Sequence, residues 1–415
     1  MAEALSPASE QGVAHSLEVL PAGRSIDLRP GCHSIATLDG FYALQEIWRE
    51  LSASSRSATA FQSWDFAVEW LNRFVLARAG GATGRFAVIV ACEGRAGVIG
   101  LTPLFEEHSL GQSNLGMTLQ PFGRSHSMET LTDEPIAILR QGYEHLAARM
   151  LVSRIAADAR NKEWDIAVVH GIRSRQVAAR ASISLSQRLD NVEVTRRRSL
   201  PMTLPLPASW STFQSGLSKS MRDNVAYYPR RLTREIGPWK IQTARSPAEV
   251  AIATEHLVRL HRQRSASKAG PSHRNHLPGE TEASFLRGWF ERLARQDQIS
   301  LVSLKIAGET VAVQAFVEAE RCLSVYYSGY DERWGRYSPL TIITAEVIRE
   351  AIARGFDRLE FPPGESAWKS RWGALSEETV EEKSIYPIRL SALFRGLVRR
   401  WNQRRLGSLA EPGIE

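Results

Sequence analysis

The stretch that most restricts the fold of this chain runs from residue 299 to residue 361. It contains three apolar runs with the residue pattern of β-strands, separated by connections of only a few residues. Connections this short join antiparallel neighbours, so the runs predict a meander. A helix and one more short strand are predicted to follow. In order, the elements are Ile299–Lys305, Val311–Val317, Cys322–Ser328, Pro339–Arg354 and Arg358–Phe361.

The predicted helix has suitable residues at both ends. Ser338 is a good N-cap residue and Pro339 a good first residue, because the first turn of a helix has no use for the N–H that proline lacks. Gly355 suits the left-handed conformation just past the helix end. The helix start therefore presents backbone N–H groups beside Arg333 and Arg336, which predicts an anion site.

The order of meander, helix and strand is that of the GNAT acyltransferase core, and short motifs within it resemble one branch of that fold. The motifs are Tyr330-Asp331, Ser338-Pro339, Gly355-Phe356-Asp357, Gly364-Glu365 and Trp368-Lys369. They resemble the CelD-like acetyltransferases of cellulose and exopolysaccharide biosynthesis, a family related to the FemAB aminoacyltransferases. Further similar segments upstream are Phe61–Trp64, Val88–Phe105 and Lys219–Gly237.

One motif departs from the GNAT pattern. The acyl-CoA loop of simple GNAT enzymes has small residues after its first basic or amide residue. In this chain Arg336 and Ser338 follow Arg333 at those positions. The motif therefore leaves open whether the donor is acyl-CoA or another activated acyl group.

The resemblance implies a mixed-sheet α/β protein with two tandem GNAT-like acyltransferase domains and a cleft between them. The order of predicted elements supports this, because helices, a hairpin or meander, a helix and a strand occur in both halves. We expect an N-terminal tail (1–38), an N-terminal domain (39–199), a C-terminal domain (200–387) and a basic amphipathic helix with a tail (388–415). A proline-rich segment, residues 200–207, marks the join.

The resemblance also implies roles for particular side chains. In Fem-type relatives an aromatic–lysine pair lies in the active site, which implies a role for Trp368 and Lys369. An ammonium group there would stabilise an oxyanion or hold a phosphate. Glu365 is the candidate general base for an amine acceptor, and Tyr330 the candidate acid for the leaving thiolate. The residues expected to bind the donor are Arg333, Arg336, Ser338 and Trp368.

Each of these residues also has a purely structural interpretation. Lys369 suits a solvated surface helix, and Glu365 suits the first turn of a helix. Tyr330 belongs to a set of tyrosines, with Tyr326 and Tyr327, whose alternation along a strand is typical of core packing. The basic segment 219–237 is either a one-sided stripe of positive charge or a solvated helix. The loop Ser265–Glu280 is either a lid over the acceptor or a surface loop.

Composition limits the partners. The formal net charge of +7 favours an anionic partner such as coenzyme A, a nucleotide-sugar, a lipid phosphate or tRNA. No DNA-recognition motif accompanies the charge, so no DNA partner is expected. The three cysteines are scattered, and His273 and His276 have no ligand-type neighbours, so no metal is expected. No signal peptide or membrane-spanning run is visible, and we expect a cytoplasmic protein.

The function implied is that of a GNAT-type N-acyltransferase. It would move an acyl group from an activated donor, acyl-CoA in the first instance, to an amine or hydroxyl of a sugar or lipid-linked glycan precursor. The setting implied by the resemblance is exopolysaccharide or envelope biosynthesis. Two alternatives stay open: a Fem-type transferase that uses aminoacyl-tRNA, and a non-catalytic component of a polysaccharide system.

The last segment predicts a basic amphipathic helix over residues 390–405. Its apolar side chains recur at helical spacing, and arginines cover the other side. Such a helix can lie on an anionic membrane, which would bring the protein to the inner membrane face as a peripheral partner. The alternative is a last helix docked on its own domain.

Overall fold

The computed structural model of the chain is a mixed α/β protein built on two β-sheets. It describes residues 26, 28–55, 59–77, 85–108, 117–123, 137–160, 166–170, 192–199, 201–267, 274–319, 321–363, 367–375 and 379–385.

The first sheet contains mostly strands from the first half of the chain. Its strand order is β1-β2-β3-β4-β6-β14-β7, with β5 paired to β3. The strands are β1 (Gly31–Ile35), β2 (Phe86–Glu93), β3 (Gly97–His108), β4 (Met117–Pro121), β5 (Ile138–Leu139), β6 (Ile166–His170), β7 (Val192–Ser199) and β14 (Thr379–Ile385). The helices of this half are α1 (Leu38–Ala43), α2 (Gln45–Ala53), α3 (Trp64–Trp70) and α4 (Glu144–Arg160).

The second sheet has strand order β8-β13-β12-β11-β10-β9. Its strands are β8 (Pro201–Pro205), β9 (Trp239–Ala244), β10 (Ile299–Ile306), β11 (Glu309–Ala319), β12 (Cys322–Tyr330) and β13 (Arg358–Pro363). The helices are α5 (Trp210–Gly216), α6 (Lys219–Glu235), α7 (Pro247–Ala266), α8 (Glu280–Ala294), α9 (Pro339–Ala353) and α10 (Ala367–Arg371). The predicted meander, helix and strand are confirmed as β10–β12, α9 and β13.

Helices cover both faces of the second sheet. The apolar side chains of α7 and α8 pack on one face, and those of α5, α6 and α9 pack on the other. A sheet buried on both sides needs apolar residues at consecutive positions, which explains the nearly unbroken burial of β10 and β11. These runs of consecutive apolar residues are visible in the sequence, and they are why the two strands could be predicted.

Strand β14 comes from the second half of the chain but belongs to the first sheet. It follows the second sheet in sequence, yet it pairs antiparallel with both β6 and β7 in the first sheet. The expected division into residues 39–199 and 200–387 takes no account of this exchange. The pattern of a single strand gives no information on its partners, so the sequence could not reveal it.

One apolar core joins the two halves. Phe66 on α3 contacts two rings of α8, with centroid distances of 5.2 Å to Phe285 and 5.1 Å to Trp289. An ion pair lies beside these rings: Arg292 Nε is 3.2 Å from Glu69 Oε2, and the Glu69 side chain is only 4% exposed. The halves are therefore packed through both apolar and charged contacts. The expected cleft between them stays a prediction.

Two predicted segments fall largely outside the described residues. They are most of the N-terminal tail (1–38) and all of the C-terminal helix and tail (388–415). Among the helices that the structure describes, none is long and apolar enough to cross a membrane.

Helix α7 crosses β12 at Gly329, and the approach is close enough to exclude any side chain. A Cβ at this position would lie 2.5 Å from the backbone nitrogen of His261 and 2.7 Å from the carbonyl carbon of Leu260. We expect Gly329→Ala to lower the free energy of unfolding by about 3 kcal/mol, since backbone atoms cannot move aside cheaply. Denaturant titration measures this. Gly216→Ala is the control, because a Cβ there meets nothing within 4 Å; equal stability of the two variants would contradict the prediction.

Candidate active site

An opening forms between two parallel strands of the second sheet. Strands β12 and β13 pair only from Cys322↔Arg358 to Ser324↔Glu360, although β12 continues to Tyr330 and β13 to Pro363. The carboxyl ends of neighbouring parallel strands lie at the same edge of a sheet, where α/β proteins bind ligands. The start of α9 and the short helix α10 follow these two ends and therefore flank the same opening.

A β-bulge lies at the point where the two strands part. Gln314 pairs with Ser328 and Phe316 with Val325, so one residue of β11 faces two residues of β12, Tyr326 and Tyr327. The rings of these two tyrosines lie 4.2 Å apart. Consecutive side chains of a regular strand point to opposite faces, so the expected alternation is wrong here. Both rings pack with the core on the α7 and α8 face.

Tyr330 ends β12 and packs on the other face, with the core that includes α6 and α9. The guanidinium carbon of Arg264 lies 4.6 Å from the centroid of its ring. Burial lowers the pKa of Arg264. The structure thus separates Tyr330 from Tyr326 and Tyr327, which the sequence had grouped together.

Arg333 is engaged by neighbouring carboxylates. Its Nε donates to Asp331 Oδ2 at 2.8 Å, and its terminal nitrogen lies 3.2 Å from Glu309 Oε1. The hydrogen bond from Arg333 lowers the pKa of Asp331. The charge of Arg333 is therefore balanced locally, and the pair shapes the 3₁₀ turn 332–337. Its expected contact with the donor stays a prediction.

Arg336 belongs to a cationic cluster at the start of α9. Its guanidinium donates to Tyr337 Oη at 2.7 Å, and Tyr337 Oη donates to Glu235 Oε2 at 3.1 Å. Arg231 and Arg234 of α6 bind the other oxygen of Glu235, at 3.0 and 3.2 Å. Hydrogen bonding, first of all from Arg231, lowers the pKa of Glu235. Three arginines around one carboxylate leave an excess of positive charge.

Sequence reasoning found only part of this cluster. It named Arg336, treated Arg231 and Glu235 only as members of a basic helix and its opposing charge, and missed Tyr337. Arg231 donates at 3.2 Å to the carbonyl oxygen of Arg336, which joins α6 to the turn before α9. Arg222, from the same stripe, instead donates to the carbonyl oxygen of Ser215 at 3.2 Å, near the end of α5. Helical spacing alone could not separate the two roles.

Ser338 precedes α9 as expected, but its side chain does not cap the helix. Its φ of 47° and ψ of 59° are left-handed, and its hydroxyl makes no capping hydrogen bond. The backbone has to reverse between the 3₁₀ turn and α9, and this reversal overrides the usual extended conformation of an N-cap. Such a conformation costs a residue with a Cβ about 1 kcal/mol or more. Gly355, with a φ of 78°, occupies the left-handed position expected after the helix.

The aromatic–lysine pair lies beside the end of β13. Lys369 Nζ donates to the carbonyl oxygen of Pro362 at 2.8 Å, and the Trp368 ring packs edge-on against Phe361 at 5.1 Å. The ammonium group is thereby held at the edge where the opening lies. Glu365, the expected base, lies outside the described residues.

A pair of histidines, His261 and His276, holds the segment that precedes α8. The backbone N–H of His276 donates to His261 Nε2 at 3.2 Å, so Nδ1 carries the proton that is shared with Ser328 O at 3.0 Å. Burial lowers the pKa of His261 to about 4. The His276 ring lies 5.7 Å from that of Tyr327. Sequence reasoning missed His261, because it occupies an apolar face of α7 where a core residue is expected.

Both described ends of the loop Ser265–Glu280 are tied down. Arg262 donates to the carbonyl oxygens of Leu277 and Gly279, at 2.7 and 2.6 Å. At the other end, the Ser267 hydroxyl donates to Glu332. Residues 268–273, including His273, lie outside the described part of the chain. Within the described ranges, no group of three or more possible metal ligands is present.

Comparisons with known proteins find a similar sequence segment and similar folds. A family model described as an acetyltransferase (GNAT) domain matches residues 219–370, which is less than half of the chain. The structure titled FemX has a TM-score of 0.59 at 10% identity, covering 89% of this chain and 100% of its own. No curated protein matches the sequence. The predicted α/β fold with GNAT-like domains is confirmed, and the match to the family model lies in the second half of the chain.

Two further solved structures are similar over most of their length, with lower TM-scores. L-PGS from Bacillus licheniformis has a TM-score of 0.46 at 11% identity, covering 86% of this chain and 96% of its own. A tandem GNAT protein from the clavulanic acid biosynthesis pathway has a TM-score of 0.45 at 11% identity, covering 86% of this chain and 98% of its own.

The buried neutral state of His261 predicts a pH dependence of stability. Its pKa is about 4 in the folded protein and about 6.5 when unfolded, so the unfolded chain binds more protons between these values. Stability from this residue is complete above pH 6.5 and is lost as the pH falls towards 4. From pH 7 to pH 5 the loss is about 2 kcal/mol.

Denaturant titrations of the wild type and of His261→Gln at both pH values measure this contribution. We expect the loss of stability to be smaller in the variant by about 2 kcal/mol, because Gln does not titrate. Equal losses in the two proteins would show that His261 is not held neutral.

Proposed function

We propose that the protein is an acyltransferase that moves an acyl group from acyl-CoA to an amine or a hydroxyl group. The observation that supports this most strongly is the opening between β12 and β13. It is flanked by the cationic start of α9 and by Lys369, next to a bulged strand. A thioester bound there would meet positive charge and backbone donors together, which is the requirement for stabilising an oxyanion.

The cationic cluster suits the phosphates of the donor. Arg231, Arg234 and Arg336 exceed the charge of Glu235, and the start of α9 adds the partial positive charge of a helix terminus. Arg333 is the weaker candidate, because Asp331 and Glu309 already balance it. Phosphate binding therefore falls mainly to the cluster, with Ser338 at its centre.

The transfer step needs charge stabilisation at the acyl carbon. The extra residue of the bulge leaves backbone groups of β12 outside the regular ladder, so an N–H group can point at a thioester oxygen. The Lys369 ammonium, whose position is fixed by its hydrogen bond to the carbonyl oxygen of Pro362, supplies positive charge at this edge. Tyr330, at the end of β12, is the proposed acid for the leaving thiolate. Trp368, whose ring packs against Phe361, is proposed to contact the donor.

The acceptor that we propose is a sugar or a lipid-linked glycan precursor of exopolysaccharide or envelope biosynthesis. This rests on the resemblance of the motifs around Ser338 and Lys369 to CelD-like acetyltransferases. The proposed location is cytoplasmic, with residues 390–405 as a peripheral contact to the inner membrane face. A second candidate is transfer from an aminoacyl-tRNA, which is favoured by the similarity of the fold to the FemX structure.

Titration calorimetry with acetyl-CoA, longer acyl-CoAs and tRNA tests the proposal. Binding of an acyl-CoA in the micromolar range supports the first function. Salt-sensitive binding of tRNA without binding of acyl-CoA would favour the second, since phosphate contacts weaken steeply with salt. Binding of none of these ligands would leave a non-catalytic component as the remaining interpretation.

Lys369→Ala should lower turnover by about 10²–10³-fold, the usual effect of removing one oxyanion donor. Release of thiol from acetyl-CoA in the presence of an acceptor measures the rate. Lys240→Ala is the matched control, because Lys240 is an exposed residue of β9. Circular dichroism checks that both variants fold. Turnover of Lys369→Ala within twofold of the control would move the chemistry to another residue, with Tyr330 the next to test.

Arg336→Ala and Arg231→Ala should each raise the donor KM about tenfold and leave kcat nearly unchanged, because each removes a contact made equally before and during the reaction. Steady-state kinetics with varied acetyl-CoA concentration separates the two parameters. Arg295→Ala serves as the control, since Arg295 pairs with Glu291 on the exposed side of α8. A fall in kcat at constant KM would assign these arginines to the chemical step instead.

A further inference from the structure

His276 lies where the acceptor would have to approach, given the proposed function. Its ring lies against Tyr327, one of the two bulge residues, with an interplanar angle of 24°. Tyr327 packs on the α7 and α8 face of the second sheet, whereas α9 packs on the opposite face. A donor held by the start of α9 and an acceptor beside His276 would therefore reach the opening between β12 and β13 from opposite faces.

We infer that His276 is the general base that takes the proton from the attacking group of the acceptor. This inference rests on the proposed function, because it requires an acyl donor at the bulge. Histidine is the side chain best suited to the task near neutral pH. Sequence analysis considered His276 only as a metal ligand, since the spacing of a loop residue does not show that it contacts a strand.

Neighbouring residues hold the main chain of this segment in position. The backbone N–H of His276 donates to His261 Nε2, and Arg262 binds the carbonyl oxygens of Leu277 and Gly279. His261 is itself fixed by Ser328 of β12. Replacing the His276 ring leaves these backbone hydrogen bonds in place, and circular dichroism reports whether each variant still folds.

The proposed step forms a bond between the acceptor and the acyl carbon and breaks the bond from that carbon to sulfur. The lone pair of the acceptor nitrogen or oxygen attacks the thioester carbon, and its proton moves to an imidazole nitrogen of His276. The C–S bond breaks as the tetrahedral intermediate collapses, and the new amide or ester bond is complete. The thiolate takes up a proton from Tyr330; the imidazolium then releases its proton to solvent, and the Tyr330 phenolate takes one back from solvent.

The neighbouring charges define what a pH profile would report. The titratable and charged groups of the adjoining elements are His261, Arg262 and Arg264 on α7, Tyr327 on β12 and Glu282 on α8, with Arg274 on the same segment. His261 titrates at about 4. A limb of the rate profile between pH 5 and 8 therefore does not arise from His261.

Hydrolysis of acetyl-CoA tests the inference without knowledge of the acceptor, because a base at this position also activates water. Thiol release is followed from pH 5 to pH 9 in the wild type, His276→Gln, His276→Ala and the control His256→Gln. His256 lies on α7 near Arg259 and Lys305. Calorimetry with acetyl-CoA is run on each protein, and circular dichroism reports folding.

We expect both His276 variants to bind acetyl-CoA as the wild type does and to release thiol about 100-fold more slowly, without the acid limb of the profile. Added imidazole should restore much of the rate of His276→Ala, and His256→Gln should match the wild type. Rescue by imidazole separates a base from a residue with a merely structural role.

Three outcomes would overturn the inference: variants as fast as the wild type, slow variants that imidazole does not rescue, or a wild type that binds acetyl-CoA without releasing thiol. Loss of the acid limb in Glu365→Gln, together with its retention in His276→Gln, would assign the base to Glu365. Failure of the wild type to bind any acyl-CoA would overturn the proposed function itself, which distinguishes the two failures.

Discussion

The single extra residue in β12 is the constraint on which the candidate site depends. Opposite Ala315, two residues of β12 take the place of one, and the parallel ladder with β13 ends just before them, at Ser324. A bulge increases the local twist of a strand and bends it, so the two neighbours part beyond this point. The cost is the loss of a few ladder hydrogen bonds; the result is an opening inside a sheet that is otherwise closed on both faces.

Different elements flank the opening on the two faces of the sheet. On one face, α6 and α9 bring the guanidinium groups of Arg231 and Arg336 together across Glu235. On the other face, α7 holds the segment before α8 through backbone atoms. The first half of the chain supports this second face, because Phe61 reaches Tyr326 with a ring distance of 5.2 Å. The site is thus built from both halves, although its charged groups come from the second.

Sequence patterns predicted what depends on short-range order. The strands β10–β12, the helix α9 and the glycine after it follow from apolar runs, tight connections and end residues. The pattern did not predict the bulge at Tyr326 and Tyr327, since an inserted residue leaves no mark in an already apolar run. It also missed the Arg231–Glu235–Tyr337–Arg336 cluster and the His261–His276 contact, because both join residues that are distant in sequence. The left-handed conformation of Ser338 was also not predicted, because the turn before α9 imposes a backbone geometry that serine disfavours.

The exchange of β14 has a consequence for how the chain becomes a folded protein. Residues 379–385 complete the first sheet by joining β6 to β7, so β7 has no link to the rest of that sheet until the second half of the chain has been synthesised. Contacts between residues so distant in sequence form late and slowly, because the long loop between them must first be closed. The order of synthesis therefore leaves the first half with exposed strand edges for longest, although it leaves the ribosome first. A protein built in this way folds as one unit, and cutting the chain between its two halves separates β14 from its partners β6 and β7.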